Sequence, residues 1–198
     1  DLRFTAADKT TPLDFEVESW DTNGLSYAWV RAPELTNGVK IYALWGQSSV
    51  IAPPCTTNGA VWDAAFRGLW HMTQTNVLDA TTNVNNGAGK NGIITTNAGV
   101  AGNALWLDGS NDYVDFGTGL TMGTSSATLI IWFKTTNSSV SAGIIGKSVY
   151  GSAERYSLSL DKSPDAIYAI FQSTSPALII AATNTWASGY YNNQWHQL

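Results

Sequence analysis

The stretch LDFEVE at residues 13–18 alternates strictly between apolar and acidic side chains. Successive side chains of a strand point to opposite faces, so this period of two predicts a β-strand with one buried and one solvated face. The same period recurs at residues 25–30, 39–45 and 155–161. Residues 127–134 and 166–171 are almost uniformly apolar, which is typical of strands buried on both faces. Asn-Gly and Asp-Gly pairs between these stretches favour tight turns, so the sequence predicts an all-β fold.

Composition narrows the class of protein. The 198 residues are 44% hydrophobic and 13% charged and include 9 Trp, 8 Tyr and 6 Phe, which excludes a disordered chain. A single cysteine excludes a disulfide scaffold. The net charge is −5 and the 10 basic residues are scattered, so we expect no nucleic-acid partner. No apolar stretch approaches the roughly 20 residues of a membrane helix, so we expect no membrane insertion within this segment.

Two features indicate how the chain is organised. It begins with neither an initiator Met nor the apolar core of a signal peptide, and both ends look cut, so we interpret it as an internal piece of a larger protein. A Pro-Pro, Thr-Thr and Asn-Gly segment at residues 50–59 is typical of a boundary and predicts domains at 1–58 and 59–198. Directly after it, residues 62–66 have helical spacing and predict a helical turn that runs into a strand at 69–72.

Four short elements of the first part are similar to a known family of modules. They are DLRFT at residues 1–5, TPL at 11–13, ESWD at 18–21 and VKIY at 39–42. Together they resemble the bacterial and archaeal extracellular family called domain of unknown function twenty-three forty-one. Residues 7–9 are Ala-Asp-Lys, where that family usually has an Asp-Gly step. The resemblance implies a β-sandwich module whose N-terminal part is missing from this chain.

The second part resembles a laminin-G-like, concanavalin A-like jelly roll, which commonly follows that module. The matching elements are GLWHM at residues 68–72, LWLDGSNDYV at 105–114, IIWFK at 130–134 and WHQL at 195–198. The resemblance implies two β-sandwich units in tandem, the second a jelly roll that is incomplete at its C-terminus. It also implies an extracellular or cell-surface location.

Asp108, Asp112 and Asp115 belong to the densest cluster of oxygen-bearing side chains. Calcium prefers several hard oxygen ligands, and a D-x-S-x-D spacing can supply them from one loop. The spacing departs from the helix-loop-helix calcium loop at its glycine and glutamate positions. We therefore interpret the cluster as a hairpin turn that buries Leu107 and Val114. Calcium bound by the three aspartates is the alternative. Calcium held by Asp79 and carbonyl groups of the Asn-rich loop is a second alternative.

Residues that could catalyse a reaction do not form a known arrangement. Glu16 and Glu18 share a strand face that we expect to face water, and the E-x-D-x-x-E pattern of sandwich hydrolases is absent. His71 and His196 have no second metal ligand nearby in the sequence. The G-x-G-x-x-G at residues 87–92 is followed by a β pattern instead of the helix of a dinucleotide site, so we interpret it as a flexible turn. We expect no enzymatic activity.

Trp186, Tyr190 and Tyr191 lie in a polar stretch near the end of the chain. Exposed aromatic rings can stack on the apolar face of a sugar, so these residues form a candidate ligand site. The alternative, which we favour because aromatic side chains are most often buried, is that they cap the end of a sandwich. We assign the tryptophans within strand patterns to cores: Trp20, Trp29, Trp106 and Trp132.

Taken together, the patterns and the resemblance predict a non-catalytic extracellular module for binding or adhesion. Its expected partner is a glycan or another cell-surface polymer. Two other functions stay open: an accessory domain of a larger polysaccharide-degrading enzyme, and a structural spacer in a surface protein.

Overall fold

The computed structural model describes residues 1–96, 99–121, 125–136, 141–148, 155–162, 165–172, 178–183 and 187–198. Contacts along the chain group into two units, Asp1–Leu120 and Thr121–Leu198. The paired strands of both units are antiparallel, so the predicted all-β fold is confirmed. The domains at 1–58 and 59–198 stay a prediction. Within the described ranges, no helix has the length and apolar content that a membrane crossing needs.

The described part of the first unit consists of short strands in small sheets. The strands are β1 (Arg3–Thr5), β2 (Pro12–Leu13), β3 (Phe15–Ser19), β4 (Tyr27–Val30), β5 (Tyr42–Leu44), β6 (Asn76–Val77), β7 (Gly87–Lys90), β8 (Ile94–Thr96), β9 (Ala104–Trp106) and β10 (Tyr113–Asp115). Their orders within the sheets are β2-β1-β5, β3-β4, β6-β7-β10 and β8-β9. A 3-10 turn at Pro54–Thr56 follows β5. The period of two therefore located β3, β4 and β5, although the strands are shorter than the patterns.

Buried apolar side chains from several of these elements form the core of the first unit. They are Leu13, Phe15, Cys55, Val61, Val77, Ile93 and Ala104. Gly59 lies close to the backbone of residues 80–82. A Cβ atom at position 59 would therefore lie only 2.8 Å from the backbone nitrogen of Thr82. Its φ of +78° also favours glycine. The segment predicted as a boundary thus lies within the first unit, where Cys55 is buried and Gly59 packs against residues 80–82.

The second unit has longer strands. They are β11 (Trp132–Phe133), β12 (Ala142–Ser148), β13 (Arg155–Lys162), β14 (Asp165–Gln172), β15 (Leu178–Thr183) and β16 (His196–Gln197), with a one-turn helix α1 (Ala187–Tyr190). β12 to β15 form a meander in chain order, and β11 pairs with β16. On β13, Tyr156, Leu158 and Leu160 are buried while Ser157 and Ser159 between them are half-buried. The alternation predicted for residues 155–161 is confirmed.

Several predictions of burial are wrong. Trp20, Trp29, Trp106 and Trp132, for which the strand patterns predict core positions, are all exposed. Ile130 is exposed as well, so residues 127–134 do not form a strand that is buried on both faces. A strand pattern shows which residues share a face, but a second layer must cover that face before its residues are buried.

Two local predictions are also corrected. Residues 62–72 contain turns, with the Trp62 amide donating to Gly59 and the Phe66 amide donating to Asp63, and the predicted strand at 69–72 is not formed. The glycine-rich residues 87–92 are not a flexible turn throughout, because the first four form β7 between β6 and β10.

Leu13 and Leu25 provide a matched test of the core of the first unit, because they are 7% and 76% exposed. We expect Leu13→Ala to lower the free energy of unfolding by about 2–5 kcal/mol, since it leaves a cavity. Leu25→Ala should change that free energy by no more than about 0.5 kcal/mol. Urea denaturation of both variants measures the difference. Equal losses in the two variants would contradict the burial of Leu13.

Candidate functional site

The two faces of β3 have different surroundings, which depart from the sequence-based expectation at Glu16 and Glu18 on one face and at Val17 on the other. The face with Glu16 and Glu18 is expected to face water, but Glu16 is buried and the side chain of Glu18 is only 3% exposed. On the opposite face, Phe15 is buried whereas Val17 is 40% exposed. The expectation for the acidic face is therefore wrong. The acidic face is buried because residues that are distant in the sequence cover it.

That covering layer places a histidine between the two carboxylates. Nε2 of His71 lies 2.6 Å from Oε1 of Glu16, and Nδ1 of His71 contacts Oε2 of Glu18. Trp62 donates from Nε1 to Oε1 of Glu16 over 3.0 Å, and Trp29 donates from Nε1 to Oε2 of Glu18 over 2.6 Å. We call Glu16, Glu18, Trp29, Trp62 and His71 the histidine cluster.

The strand pairing explains how Trp29 reaches Glu18. Glu16 of β3 lies directly opposite Trp29 of β4, so both side chains are on the same face of the two-stranded sheet. The register shifts between Val17 and Ser19, which marks a β-bulge beside Glu18. Trp29 therefore lies across the face on which both carboxylates are placed.

Aromatic rings surround the imidazole. The ring of Trp29 stacks on that of His71 with centroids 6.1 Å apart and an interplanar angle of 27°. Trp62 lies 5.5 Å from Trp29 and 6.2 Å from His71, and Phe66 packs edge-on against Trp62 at 5.1 Å. Indole rings attract a cation above their faces, so this arrangement favours the charged form of His71.

The charge of His71 depends on two opposing effects. Burial lowers the pKa of the imidazole because it disfavours the charged form. The hydrogen bonds to Glu16 and Glu18, together with the attraction of their charges, outweigh burial and raise the pKa of His71 to about 9. At neutral pH the residue is an imidazolium whose two N–H groups face carboxylates. It has no free lone pair with which to accept a proton or bind a metal ion.

The other face of β3 forms part of a groove of about 800 Å³. Val17 of β3 lines it, as do Trp20 after β3 and Trp45 after β5. Trp20 and Trp45 are 63% and 75% exposed, although tryptophan is among the side chains that gain most from burial. The volume is typical of a ligand cleft, for which about 300–1,000 Å³ is common. We call it the tryptophan groove.

Two charged side chains at the tryptophan groove are held by backbone groups. Arg3 donates to the carbonyl oxygen of Leu2 over 2.6 Å and to that of Ile51 over 2.5 Å. The carboxylate of Asp1 accepts a hydrogen bond from the backbone amide of Gln47. These contacts connect β1 to the loops after β5 and shape one side of the groove.

The sequence contains a signal for the tryptophan groove that strand periodicity alone does not reveal. Trp20 directly precedes the polar turn of residues 21–24, and Trp45 directly precedes the polar residues 46–49. Trp45 is the last residue of the alternating stretch 39–45, and Trp20 follows the stretch 13–18, so both stand where a strand ends, at the rim of a sheet. A tryptophan in that position is a candidate for a surface role.

The aspartates predicted as calcium ligands each stabilise a turn. Asp108 accepts from the amide of Ser110 over 2.8 Å, Asp112 accepts from the amide of Asp108 over 3.1 Å, and Asp115 accepts from the amide of Gly117 over 2.8 Å. Among the described residues, no group of three or more His, Cys, Asp or Glu side chains is arranged to hold a metal ion. The calcium site stays a prediction.

The loop around these aspartates is not the predicted hairpin turn. It connects β9, which pairs with β8, to β10, which pairs with β7, so the flanking strands belong to different sheets. Leu107 is exposed and Val114 is half-buried. The prediction that both are buried is wrong for Leu107, because the chain leaves one sheet at that point.

Of the predicted aromatic site, the structure describes two residues. Trp186 lies outside the described residues. Tyr190 at the end of α1 is half-buried, with its ring 5.9 Å from that of Phe133 and 4.8 Å from that of His196. Tyr191 is half-buried too. A ligand site at these three residues stays a prediction, and the contacts of Tyr190 are those of a packing residue.

Comparison with known proteins adds no family. The sequence matches no protein-family model, and a search of curated proteins found no match. A search of solved structures found no similar fold either. The resemblances of the two parts therefore stay predictions.

The titration of His71 gives a test of the histidine cluster. The folded protein raises the pKa of His71 from 6.5 to about 9, so the stabilisation is complete below pH 6.5 and is lost as the pH rises through 9. We expect the free energy of unfolding to fall by about 2–3 kcal/mol between pH 6.5 and about pH 10. Urea denaturation across this range measures it. His71→Gln is the control, and a wild-type slope equal to that of the variant would contradict the cluster.

A second test concerns the aspartate loop. Because Asp108, Asp112 and Asp115 already accept backbone hydrogen bonds, we expect EDTA to leave the melting temperature unchanged. A ligand that binds the native state alone adds about 2.7 kcal/mol at a hundredfold excess over Kd, a shift that differential scanning calorimetry detects readily. A rise in melting temperature with calcium that disappears in Asp112→Ala would establish the calcium alternative.

Proposed function

We propose that this chain is a non-catalytic extracellular module that binds glycans or other cell-surface polymers through the tryptophan groove. The observation that supports the proposal is the exposure of Trp20 and Trp45 in one apolar groove. Contiguous exposed apolar surface marks interaction sites in soluble domains, and a concave site lined with aromatic rings is the usual form of a small-ligand site. An indole face stacks on the C–H face of a pyranose while the hydroxyl groups of the sugar stay in water.

The floor of the groove is held from behind by side-chain contacts, which favours binding. Val17 lines the groove, and its two neighbours on β3, Glu16 and Glu18, are anchored on the reverse face by His71. Groups that are already ordered before a ligand arrives lose little conformational entropy when it binds. The histidine cluster therefore supports the groove from behind.

The same geometry supports a module without catalytic activity. A retaining glycoside hydrolase needs two carboxyl groups about 5 Å apart that flank the bond to be broken. Among the described strands, only β3 has two glutamates on one face, Glu16 and Glu18. That face is opposite to the one with Val17, and both carboxylates contact the imidazolium of His71. Neither is positioned to reach a sugar in the groove.

The finer architecture belongs to the proposal as well. We interpret the sheets as two β-sandwich units in tandem, the second an incomplete jelly roll, as the resemblance implies. A position outside the cell follows from the same resemblance. An accessory domain of a polysaccharide-degrading enzyme would use the groove in the same way, whereas a structural spacer would have no need of exposed tryptophans.

Affinity electrophoresis through gels that contain soluble polysaccharides tests the proposal. We expect retention of the wild-type chain, and about tenfold weaker binding in Trp20→Ala and in Trp45→Ala, the factor that corresponds to one aromatic contact. Both variants should lose less than about 1 kcal/mol of stability, because the side chains are exposed. Trp106→Ala, which removes another exposed tryptophan of the first unit, is the matched control and should bind as the wild type does.

Two further outcomes are decisive. If Trp186→Ala abolishes retention while Trp20→Ala does not, the ligand site is the one at Trp186, Tyr190 and Tyr191. If the protein releases reducing ends from a polysaccharide and Glu16→Gln stops it, the module is an enzyme and the proposal is wrong.

A further inference from the structure

Asn-Gly pairs occur at residues 23–24, 37–38, 58–59, 86–87 and 91–92. In such a pair the backbone nitrogen of the glycine can attack the side-chain amide of the asparagine, because glycine has no Cβ atom to hinder the approach. The attack requires that the asparagine side chain can turn toward that nitrogen and that the backbone between the two groups can rotate. The surroundings of each pair therefore decide whether it reacts in the folded protein.

Three of the pairs are held by hydrogen bonds of the asparagine side chain. The side-chain oxygens of Asn58 and Asn86 each accept a hydrogen bond from a backbone amide, over 3.0 and 2.9 Å respectively. The side-chain nitrogen of Asn91 donates to a backbone carbonyl oxygen over 2.6 Å. Gly59 and Gly87 are also buried, so at these two pairs the attack requires local unfolding. We expect all three pairs to react slowly.

A carboxylate restrains the pair at residues 23–24. Asp21 accepts a hydrogen bond from the amide of Asn23 over 2.8 Å, and a Cβ atom at Gly24 would lie only 2.5 Å from Oδ2 of Asp21. The glycine nitrogen must lose its proton before it can attack, and a negative charge beside it opposes that loss. The hydroxyl group of Ser26 also holds this turn, because it accepts from the amide of Asp21 over 2.9 Å. This pair should react slowly as well.

The pair at residues 37–38 lies in an open turn. Asn37 and Gly38 are exposed, as are all residues from 33 to 41. Neither the side chain of Asn37 nor the amide of Gly38 makes a hydrogen bond to a described residue. The turn is closed by a hydrogen bond from the amide of Val39 to the carbonyl oxygen of Thr36 over 3.1 Å. A Cβ atom at Gly38 would have no heavy atom within 4 Å apart from those of its chain neighbours.

We infer that Asn37-Gly38 is a site of spontaneous deamidation in the folded protein. The nitrogen of Gly38 forms a bond to Cγ of Asn37 while the bond from Cγ to Nδ2 breaks, so the side-chain nitrogen leaves as ammonia together with the proton of the Gly38 amide. Water then opens the resulting succinimide ring at either carbonyl group, which yields aspartate or isoaspartate. One water enters and one ammonia leaves, no oxidant or reductant is needed, and the chain gains one negative charge.

Tryptic peptide mapping with mass spectrometry tests the inference, because cleavage after lysine and arginine places each Asn-Gly pair on a different peptide. These peptides comprise residues 10–31, 32–40, 41–67, 68–90 and 91–134. After incubation of the folded chain at mildly alkaline pH, we expect aspartate and isoaspartate to accumulate in peptide 32–40 at least about tenfold faster than in any of the others. A reaction that is as fast at another pair would overturn the inference.

The chain unfolded in guanidinium chloride is the first control. Without the restraints of the folded protein, all five pairs should react at rates within about threefold of one another. A reaction of peptide 32–40 that is at least about tenfold slower in the folded chain than in the unfolded chain would show that the turn protects Asn37, and would overturn the inference.

Asn37→Gln is the matched variant, because a glutamine side chain is one carbon longer and closes the ring far more slowly. The exposed position should allow the variant to fold as the wild type does. We expect the modification of peptide 32–40 to disappear while the other four peptides react as before. A modification of peptide 32–40 that persists in this variant would assign the reaction to another residue and contradict the inference.

Discussion

The imidazolium of His71 joins two parts of the first unit that lie 55 residues apart in the sequence. Two carboxylates on one covered strand face would repel each other and would each cost several kcal/mol to desolvate without a partner. This cost is offset by the positive charge of His71, which contacts both carboxylates. Trp29 and Trp62 each add an indole N–H hydrogen bond to one of the two carboxylates. Residues 62–71 have no regular secondary structure of their own, so these polar contacts and the stacked rings hold the segment against β3.

The two faces of β3 therefore make different contacts: one holds the histidine cluster and the other lines the tryptophan groove. Because side chains of a strand alternate, fixing Glu16 and Glu18 on one face also fixes Val17 between them on the other. The tryptophan groove is thus formed on a strand whose reverse side is covered. The groove needs few polar groups of its own, because the contacts of Glu16 and Glu18 with His71 on the reverse face hold β3 in place.

The tryptophans of the first unit differ in what their indole groups contact. Trp29 and Trp62 donate their N–H groups to carboxylates, and their rings surround a cation. Trp20 and Trp45 make no hydrogen bond to any described residue and leave most of their surface in water. Exposed apolar surface of this size carries a risk of aggregation, and the ligand that we propose for the groove would cover it.

The secondary structure class and much of the strand placement follow from local features of the sequence. The period of two located β3, β4 and β13 because it arises from the backbone geometry of a strand, which is local. Asn91 and Gly92, a predicted turn pair, both have positive φ at the end of β7 for an equally local reason. These features could be predicted because neighbouring residues are sufficient to specify them.

Which face of a strand is covered depends instead on packing between residues that are distant in the sequence. An alternating pattern shows that Glu16 and Glu18 share a face, but that face is buried because Trp62 and His71, 46 and 55 residues away from Glu16, lie over it. Trp20 is expected in a core and is exposed, because no second layer covers the rim on which it stands within the described first unit. The histidine cluster therefore could not be predicted from the sequence. Its residues meet through long-range packing, and the alternation of side chains carries no information on what packs against them.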